Sequence, residues 1–511
     1  MSSPRSESRQ GTRGFRDHGV LALILIASTL LCFWAGPQPN DDAYITYRYA
    51  DNLAAGHGPI YNLSERVLGT TSPLFTILLA ILRCAGLPPV AGSFGLAVVA
   101  NIVLLFLIFT LLDLEGLRRE GLVAAAVVGL LPQWIQYVVM GLETATYVAF
   151  VFGAVLAAYV GKAGAAGLLV GFAFLTRPDG VLAAIPVAGL LMKRGWKTVG
   201  VAAIAAAIPV IPWYAFATAF FGNPIPHSVV AKSVTMKVGI GESFRTYSER
   251  FLEKITWKRP VDLALLAGFV ATLALSLRHR AGAAIGGWFF IYSAAFALSG
   301  VLVFGWYSAA AIPAYLVLLV LGGSRALERI LSGRVIPGPL RLWASVGAGL
   351  AVLSVVPRLY AVLRDPAFNA TTRAYASCGR FLKAEMRGSP TLLAASEIGA
   401  AGYYSEAPVL DLWCLISPES VPYHRRLPRM EAFAAIVKDF RPEWYLTTTK
   451  LHPESLNQAA WFVLEYSLAL EIKVEGGAVM LYRRTGFRPV AARSSSLKAV
   501  SATGPASGAA P

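Results

Sequence analysis

Charge is what this sequence has least of. Only 14% of its 511 residues are Asp, Glu, Lys or Arg, against 56% hydrophobic residues and a mean hydropathy of +0.58. A soluble chain needs far more charge to cover its surface, so a polytopic membrane protein is expected instead. Acidic residues are scarcer than basic ones, 29 against 45, giving a net charge of +16. The basic excess forms no continuous face. It falls in short clusters between apolar runs, at Arg118 and Arg119, at Lys193, Arg194 and Lys197, at Arg278 and Arg280, and at Arg325, Arg329, Arg334 and Arg341. That distribution excludes a nucleic-acid partner and reads as cytoplasmic loops under the positive-inside rule. Cysteine is sparse too. Cys32 and Cys84 lie in apolar runs, while Cys378 and Cys414 lie in a more polar C-terminal region, where they either form a disulfide or remain two free thiols. No Cys and His grouping has zinc-ligand spacing.

Long apolar runs are abundant. Those centred near residues 27, 80, 102, 130, 151, 170, 186, 209, 269, 292, 315 and 349 are candidate spans. The run Val20 to Trp34 follows Arg5, Arg9, Arg13 and Arg16 and lacks a clear small-residue cleavage site. Residues 1–18 therefore read as a basic cytoplasmic N-terminus, and the run as a first span. Keeping every basic cluster on one side requires that one of the first three runs does not cross. Ser72 to Leu87 is short, begins at Ser72-Pro73 and is broken at Pro88-Pro89, so it reads as re-entrant or interfacial. This leaves about eleven spans in residues 19–362 and a C-terminus outside the cytoplasm. In residues 363–485 charge rises, and short β-type runs (Thr391 to Ala395, Pro408 to Leu412, Glu443 to Thr448, Ala478 to Arg483) alternate with helical stretches (Thr372 to Met386, Arg429 to Phe440). A small α/β domain is expected there, followed by a disordered Ser-, Ala-, Gly- and Pro-rich tail, 486–511.

The chemistry concentrates in residues 37–72. Asp41 and Asp42, two adjacent carboxylates, stand just after the first span. Ionisable groups at a membrane boundary are costly and tend to be functional, and one of such a pair can act as general base while the other tunes charge or orients a substrate. The bland alternative is that Asn40, Asp41 or Asp42 caps a helix running from Ala43 to Ala55. That helix would carry Tyr44, Tyr47, Arg48 and Asp51 on one side and Ile45, Tyr49 and Leu53 on the other, suiting it to a membrane interface. The string DDAYITYRYADNLAAGHGPIYNLSERVLGTTSPLF resembles the first extracytoplasmic loop of the GT-C membrane glycosyltransferases. The likeness is to the branch of cell-wall arabinofuranosyltransferases and to related protein mannosyltransferase-like enzymes. Leu68 stands where that pattern has an acid, and Thr70 where it has Tyr. These departures bear on the acceptor more than on the reaction class.

The resemblance implies an inverting transfer of a sugar from a polyprenyl-phosphate carrier, with Asp41 or Asp42 deprotonating the acceptor hydroxyl and Asp41 the favoured base. It implies substrate contacts from Tyr44, Arg48, His57, Glu65 and Arg66 in the first loop, and from Glu143 in Gly141-Leu-Glu-Thr144. It adds Arg177 and Asp179 in Thr176-Arg-Pro-Asp-Gly180, and His227 and Lys232 in Asn223-Pro-Ile-Pro-His-Ser-Val-Val-Ala-Lys232. Lys232 and Arg177 are the candidate partners of the donor phosphate. Arg177 and Asp179 would alternatively form a local ion pair that fixes their turn. Trp306-Tyr307 reads as an interfacial anchor, and Tyr404 and Asp411 are candidate acceptor contacts. No cofactor is assigned. A divalent metal enters the reading only if a third carboxylate converges on the pair. Expected partners are the lipid-linked donor, membrane lipids and a cell-envelope glycan, lipid or protein acceptor. The expected location is the bacterial cytoplasmic membrane, with site and C-terminal domain facing outward. The competing reading, a transporter or flippase of lipid-linked sugars, would need ionisable residues deep in several spans or an internal repeat.

Overall fold

The computed structural model describes residues 4–63, 65–255, 270, 272–332, 363, 369–388 and 391–485. Its first part is a helical bundle made of α1 (Pro4–Ala35), α2 (Asp41–Ala54), α3 (Pro73–Cys84), α4 (Pro89–Asp113), α5 (Arg118–Leu130), α6 (Pro132–Val139), α7 (Thr144–Tyr159) and α8 (Ala163–Thr176). A 3-10 turn (Pro178–Ala183) leads on to α9 (Ala184–Met192), α10 (Trp196–Phe221), α11 (His227–Thr235), α12 (Ile240–Ile255), α13 (Arg280–Ala297), α14 (Gly305–Ala309) and α15 (Ile312–Ser332).

Among the described residues four helices are long and apolar enough to cross a membrane: Asp17–Ala35, Pro89–Asp113, Trp196–Phe221 and Gly305–Ala326. A fifth exists if α5 and α6, bent by 61° at their break, count as one span. The helices Pro73–Cys84, Thr144–Tyr159, Ala163–Thr176 and Pro178–Met192 are apolar but shorter. Outward side chains such as Leu23, Ile26 and Leu30 on α1 and Ile204, Ile208 and Ile211 on α10 are exposed, as a lipid-facing surface requires. The chain is therefore an integral membrane protein. Of the expected spans, the one at 349 and nearly all of that at 269 lie outside the described residues, as does the expected disordered tail.

The bundle has two chemically distinct ends. At one, Arg118 pairs with Asp17 (3.0 Å), Arg194 donates to the Tyr159 carbonyl (3.3 Å), and Arg280 lies over the Tyr159 ring. There too Glu115 accepts from the Ala281 amide and faces His279, itself beside Arg325. One member of each of these basic clusters, Arg118, Arg194, Arg280 and Arg325, thus lies at a common end of the bundle. At the opposite end lie α2, α3, α11 and the C-terminal domain. α3 packs along α2, with Arg83 in its last turn paired with Asp51 (2.8 Å), and in the loop before α3 the Gly69 amide donates to the Tyr49 hydroxyl (2.8 Å).

The C-terminal part carries α16 (Ala370–Met386), α17 (Gly399–Ser405), α18 (Val421–Arg426), α19 (Arg429–Phe440), α20 (Glu454–Gln458) and α21 (Ala460–Glu465) around a five-stranded sheet. The strands are β1 (Leu393–Ala395), β2 (Val409–Asp411), β3 (Trp444–Thr448), β4 (Tyr466–Val474) and β5 (Gly477–Arg484), in the order β2-β1-β3-β5-β4. β2, β1 and β3 run parallel, and β5 and β4 are antiparallel. The parallel strands are short and buried, which is how they appear in sequence as brief apolar runs. β4 escaped the sequence reading because it alternates with charge and is exposed over much of its length.

Candidate active site

The site is organised by α2. Its N-cap is Asn40, whose side chain accepts from the Ala43 amide (3.1 Å). Capping therefore needs neither aspartate, and Asp41 and Asp42 occupy the first helical turn. The helix is not an interfacial one. Tyr44, Tyr47, Arg48 and Tyr49 are all buried, because α3 and α4 cover one side and α17 of the C-terminal domain covers the other.

Adjacent residues on a helix diverge by about 100°, so the two carboxylates face different neighbours. Asp41 turns to the C-terminal domain, where its two oxygens accept from the amides of Gly399 (2.9 Å) and Ala400 (2.8 Å) at the start of α17. A Cβ at Gly399 would collide with the Asp41 backbone carbonyl, so only glycine permits this approach. Burial pushes the Asp41 carboxyl up to about 7; the Ala400 amide opposes that, the neighbouring Asp42 charge adds to it, and the Gly399 amide opposes it again. Asp42 accepts no hydrogen bond among the described residues. It faces inward instead, where burial raises its pKa and the Lys232 ammonium lowers it in part.

Lys232 and Glu143 lie within electrostatic reach of Asp42, and Arg177 joins Glu143 to Asp179. Lys232, on α11, donates to the Tyr307 hydroxyl (2.9 Å) and lies near the face of that ring. Desolvation works against its charge, but Tyr307 and Asp42 outweigh it and its pKa is raised. Arg177 is 3% exposed. It sits between Asp179 (3.1 Å) and Glu143 (3.7 Å), with its guanidinium near the rings of Tyr147 and Tyr307 and within 3.5 Å of the Tyr292 hydroxyl. Burial raises Glu143, and Arg177 partly offsets it. Tyr292 in turn donates to the Tyr307 backbone carbonyl (2.7 Å). Arg177 thus fixes the turn at Pro178 and ties it to the Glu143 loop, while the Lys232 ammonium acts on the unbonded Asp42 through its charge, without a direct ion pair.

Other candidates lie apart from this cluster. Arg48 directs all its nitrogens at backbone carbonyls of Tyr61 (2.9 Å), Gly402 (2.7 Å) and Ala407 (2.8 Å), clamping α2 to the C-terminal domain. Glu65 accepts from Asn62, which itself bridges to Val409, and Arg66 is exposed over the Phe220 ring. His227 starts α11; its amide donates to the Leu68 carbonyl (2.7 Å), its Nε2 is buried without a partner, and burial lowers its pKa. Tyr44 packs against Tyr403 and Tyr404, its hydroxyl 3.4 Å from that of Tyr404. His57 is exposed beyond the end of α2. Asp411 is fully buried, its carboxylate accepting from the Trp413 and Ile416 amides within its own loop. Cys378 and Cys414 are both buried and free.

Two residues enter the site that sequence reasoning did not select. Tyr307, expected to anchor at the interface, is the partner of Lys232. Glu397, just before α17, is pushed well up by burial and by the nearby charges of Asp41, Asp42 and Asp411. In the sequence it opens the string Glu397-Ile-Gly-Ala-Ala-Gly-Tyr-Tyr404, which reads as part of the fold and not as a site. Among the described residues no group of three or more His, Cys, Asp or Glu side chains is placed to hold a metal ion.

Residues 366–490 match a family described as a domain of unknown function (DUF8728). The chain is similar to the terminal beta-(1->2)-arabinofuranosyltransferase of Mycobacterium tuberculosis, 27% identical over 240 residues that cover 42% of this chain and 38% of the relative. It is also similar to the terminal beta-(1->2)-arabinofuranosyltransferase of Corynebacterium glutamicum, 27% identical over 274 residues, 46% of this chain and 39% of the relative. It spans about two fifths of the length of these curated relatives. Among solved structures, ArnT from Cupriavidus metallidurans bound to undecaprenyl phosphate superposes with a TM-score of 0.59 at 12% identity, covering 91% of this chain and 98% of that one. The oligosaccharyltransferase of Archaeoglobus fulgidus superposes with a TM-score of 0.55 at 14% identity, covering 84% of this chain and 69% of that one. At such identities the likeness is one of fold, and this chain has the GT-C glycosyltransferase fold.

Proposed function

We propose that this protein is an inverting membrane glycosyltransferase that moves a sugar from a polyprenyl phosphate to a hydroxyl of an extracytoplasmic acceptor, a cell-envelope glycan in the first instance, with Asp42 as the general base. The observation that carries this reading is the division of labour between the two aspartates. Asp41, the base favoured from sequence, is held by two amides of α17, whereas Asp42 keeps a carboxylate free of hydrogen bonds within reach of the Lys232 charge. In the proposed step the acceptor O–H gives its proton to Asp42 as its oxygen attacks the anomeric carbon. The bond from that carbon to the phosphate oxygen breaks on the opposite face, and the carrier leaves as polyprenyl phosphate. Lys232 offers an ammonium to the charge that develops on the phosphate, a role that preorganised cations fill effectively in a water-poor site. The Glu143, Arg177 and Asp179 network holds the loops on which these groups stand.

The relatives named for arabinofuranosyl transfer, and the solved ArnT with undecaprenyl phosphate bound, support the reaction class and the carrier. The basic clusters at the opposite end of the bundle support a bacterial cytoplasmic-membrane location with the site facing outward. The test is transfer from a synthetic polyprenyl-phosphate arabinofuranose to an oligosaccharide acceptor by the purified protein in nanodiscs. Inverted product and its loss in Asp42→Asn are expected. Lipid-linked sugar crossing vesicles without any transfer would favour the flippase reading instead.

A further inference from the structure

A cavity of about 840 Å³ lies along the C-terminal half of α2, bounded by the end of α3 and by α16 and α17. That volume falls within the range of small-molecule sites, about 300–1,000 Å³. Its lining runs along α2 from Arg48 to Ala54 and on to His57, and Arg48 is six positions from Asp42, about 9 Å of helix rise. Its walls are held by two ion pairs, Arg83 with Asp51 (2.8 Å) and Lys383 with Glu406. Asp51 is fixed further by the Tyr403 hydroxyl (2.8 Å).

The charges do not balance. Arg48, Arg83, Arg380 and Lys383 line the cavity against two carboxylates, Asp51 and Glu406. Arg48 is occupied by carbonyls. Arg380 is exposed, makes no hydrogen bond or ion pair with any described residue, and is positioned over the Tyr404 ring, 4.3 Å from its centroid. A guanidinium fixed on an aromatic face keeps its planar fork of donors available for a carboxylate or phosphate. Tyr404 also connects this cavity to the reaction end of the helix, since its hydroxyl meets that of Tyr44, two residues from Asp42.

We infer that this cavity holds an anionic group, phosphate or carboxylate, carried by the non-reacting part of a saccharide acceptor, with Arg380 as its principal contact. This rests on the glycosyltransferase reading and assigns it an acceptor subsite remote from the transferred sugar. Binding energy from such a remote segment can position the reacting hydroxyl.

The experiment uses the full chain in phosphatidylcholine nanodiscs and four probes: a hexa-arabinofuranoside bearing a terminal phosphate, one bearing a terminal carboxylate, a neutral hexasaccharide and a neutral disaccharide. The charged hexasaccharides should bind about 10-fold more tightly than the neutral one, as one charge-assisted contact allows. Arg380→Ala and Arg380→Glu should erase that preference and Arg380→Lys should restore part of it, with melting temperature and disaccharide turnover unchanged. The comparison of phosphate with carboxylate identifies the anion. Equal binding of charged and neutral probes by the wild type, or a preference that survives Arg380→Glu, overturns the proposal. Displacement of the charged probe by short-chain phosphatidylglycerol, with that lipid itself losing affinity in Arg380→Ala, makes the cavity a lipid-headgroup site and overturns it as well. A charge preference without transfer to any acceptor would remove the reaction and leave the cavity standing; transfer without a charge preference would do the reverse.

Discussion

The sharpest test exchanges each aspartate of the first turn of α2 for asparagine. Asparagine keeps the shape of the side chain but cannot take a proton from an acceptor hydroxyl. Asp42→Asn should therefore fold and insert normally while kcat falls by at least about 100-fold, the lower end for loss of general-base assistance. Asp41→Asn should do something else. Its two carboxylate oxygens each accept an amide hydrogen bond from α17; in asparagine one of them becomes an NH2 group, which leaves one buried amide facing a donor. The cost is about 1.5–3 kcal/mol, the range for a hydrogen bond to a charged group, and it should appear as a lower melting temperature with a smaller effect on kcat. The pH profile gives a second reading. Asp42 must be deprotonated to act, and its pKa is raised by burial despite Lys232, so the rate should rise with pH through an apparent pKa above the usual aspartate value of about 3.9. That limb should move further upward in Lys232→Met, since the lowering influence is then gone. Transfer is measured with the purified protein in nanodiscs, and stability by thermal unfolding of the same preparations. Near-normal kcat in Asp42→Asn, together with a 100-fold loss and unchanged melting in Asp41→Asn, would refute the assignment and return the base to Asp41.

Lys232→Met should weaken donor binding or slow turnover by an amount equivalent to about 1.5–3 kcal/mol, with Lys232→Arg retaining part of the function; an unchanged donor affinity and rate would place the phosphate elsewhere. Arg177→Met leaves Glu143 and Asp179 without their buried partner and should destabilise the protein by about 3–5 kcal/mol, so its activity loss should track loss of folded protein in a thermal assay. Gly399→Ala should lower the melting temperature through about 1–3 kcal/mol of overpacking against the Asp41 backbone, and a neutral result would show that α17 can withdraw without cost. For orientation, cysteines placed at the exposed Lys383 and Arg194 positions, in a background without Cys84, should react with an impermeant maleimide from opposite sides of the membrane; labelling of both from one side would break the topology.

Much of this protein was legible from sequence because hydrophobic patterning and charge placement act locally. Scarce charge and long apolar runs specify a membrane protein. Two prolines and a short run set residues 72 to 87 apart from the longer spans, and the helix formed there, α3, is short and packs along α2. The strands β1, β2, β3 and β5 showed as short apolar runs for the same reason, while β4, charged and largely exposed, had no such signature. The candidate site divides differently. Asp41 and Asp42 are of one type and are neighbours in sequence, so nothing local tells them apart. What separates them is a 100° turn of helix and partners supplied by distant segments: amides 358 and 359 positions away for Asp41, and the Lys232 charge for Asp42. Arg48 was a plausible substrate ligand until three carbonyls from two other segments claimed its donors. Tyr307 looked like an anchor until α11 brought an ammonium to its hydroxyl. Composition and periodicity determine which segments are buried in lipid or protein. Which polar group is left without a partner, and so available for chemistry, depends on contacts between segments far apart in the chain, and only the folded structure decides those.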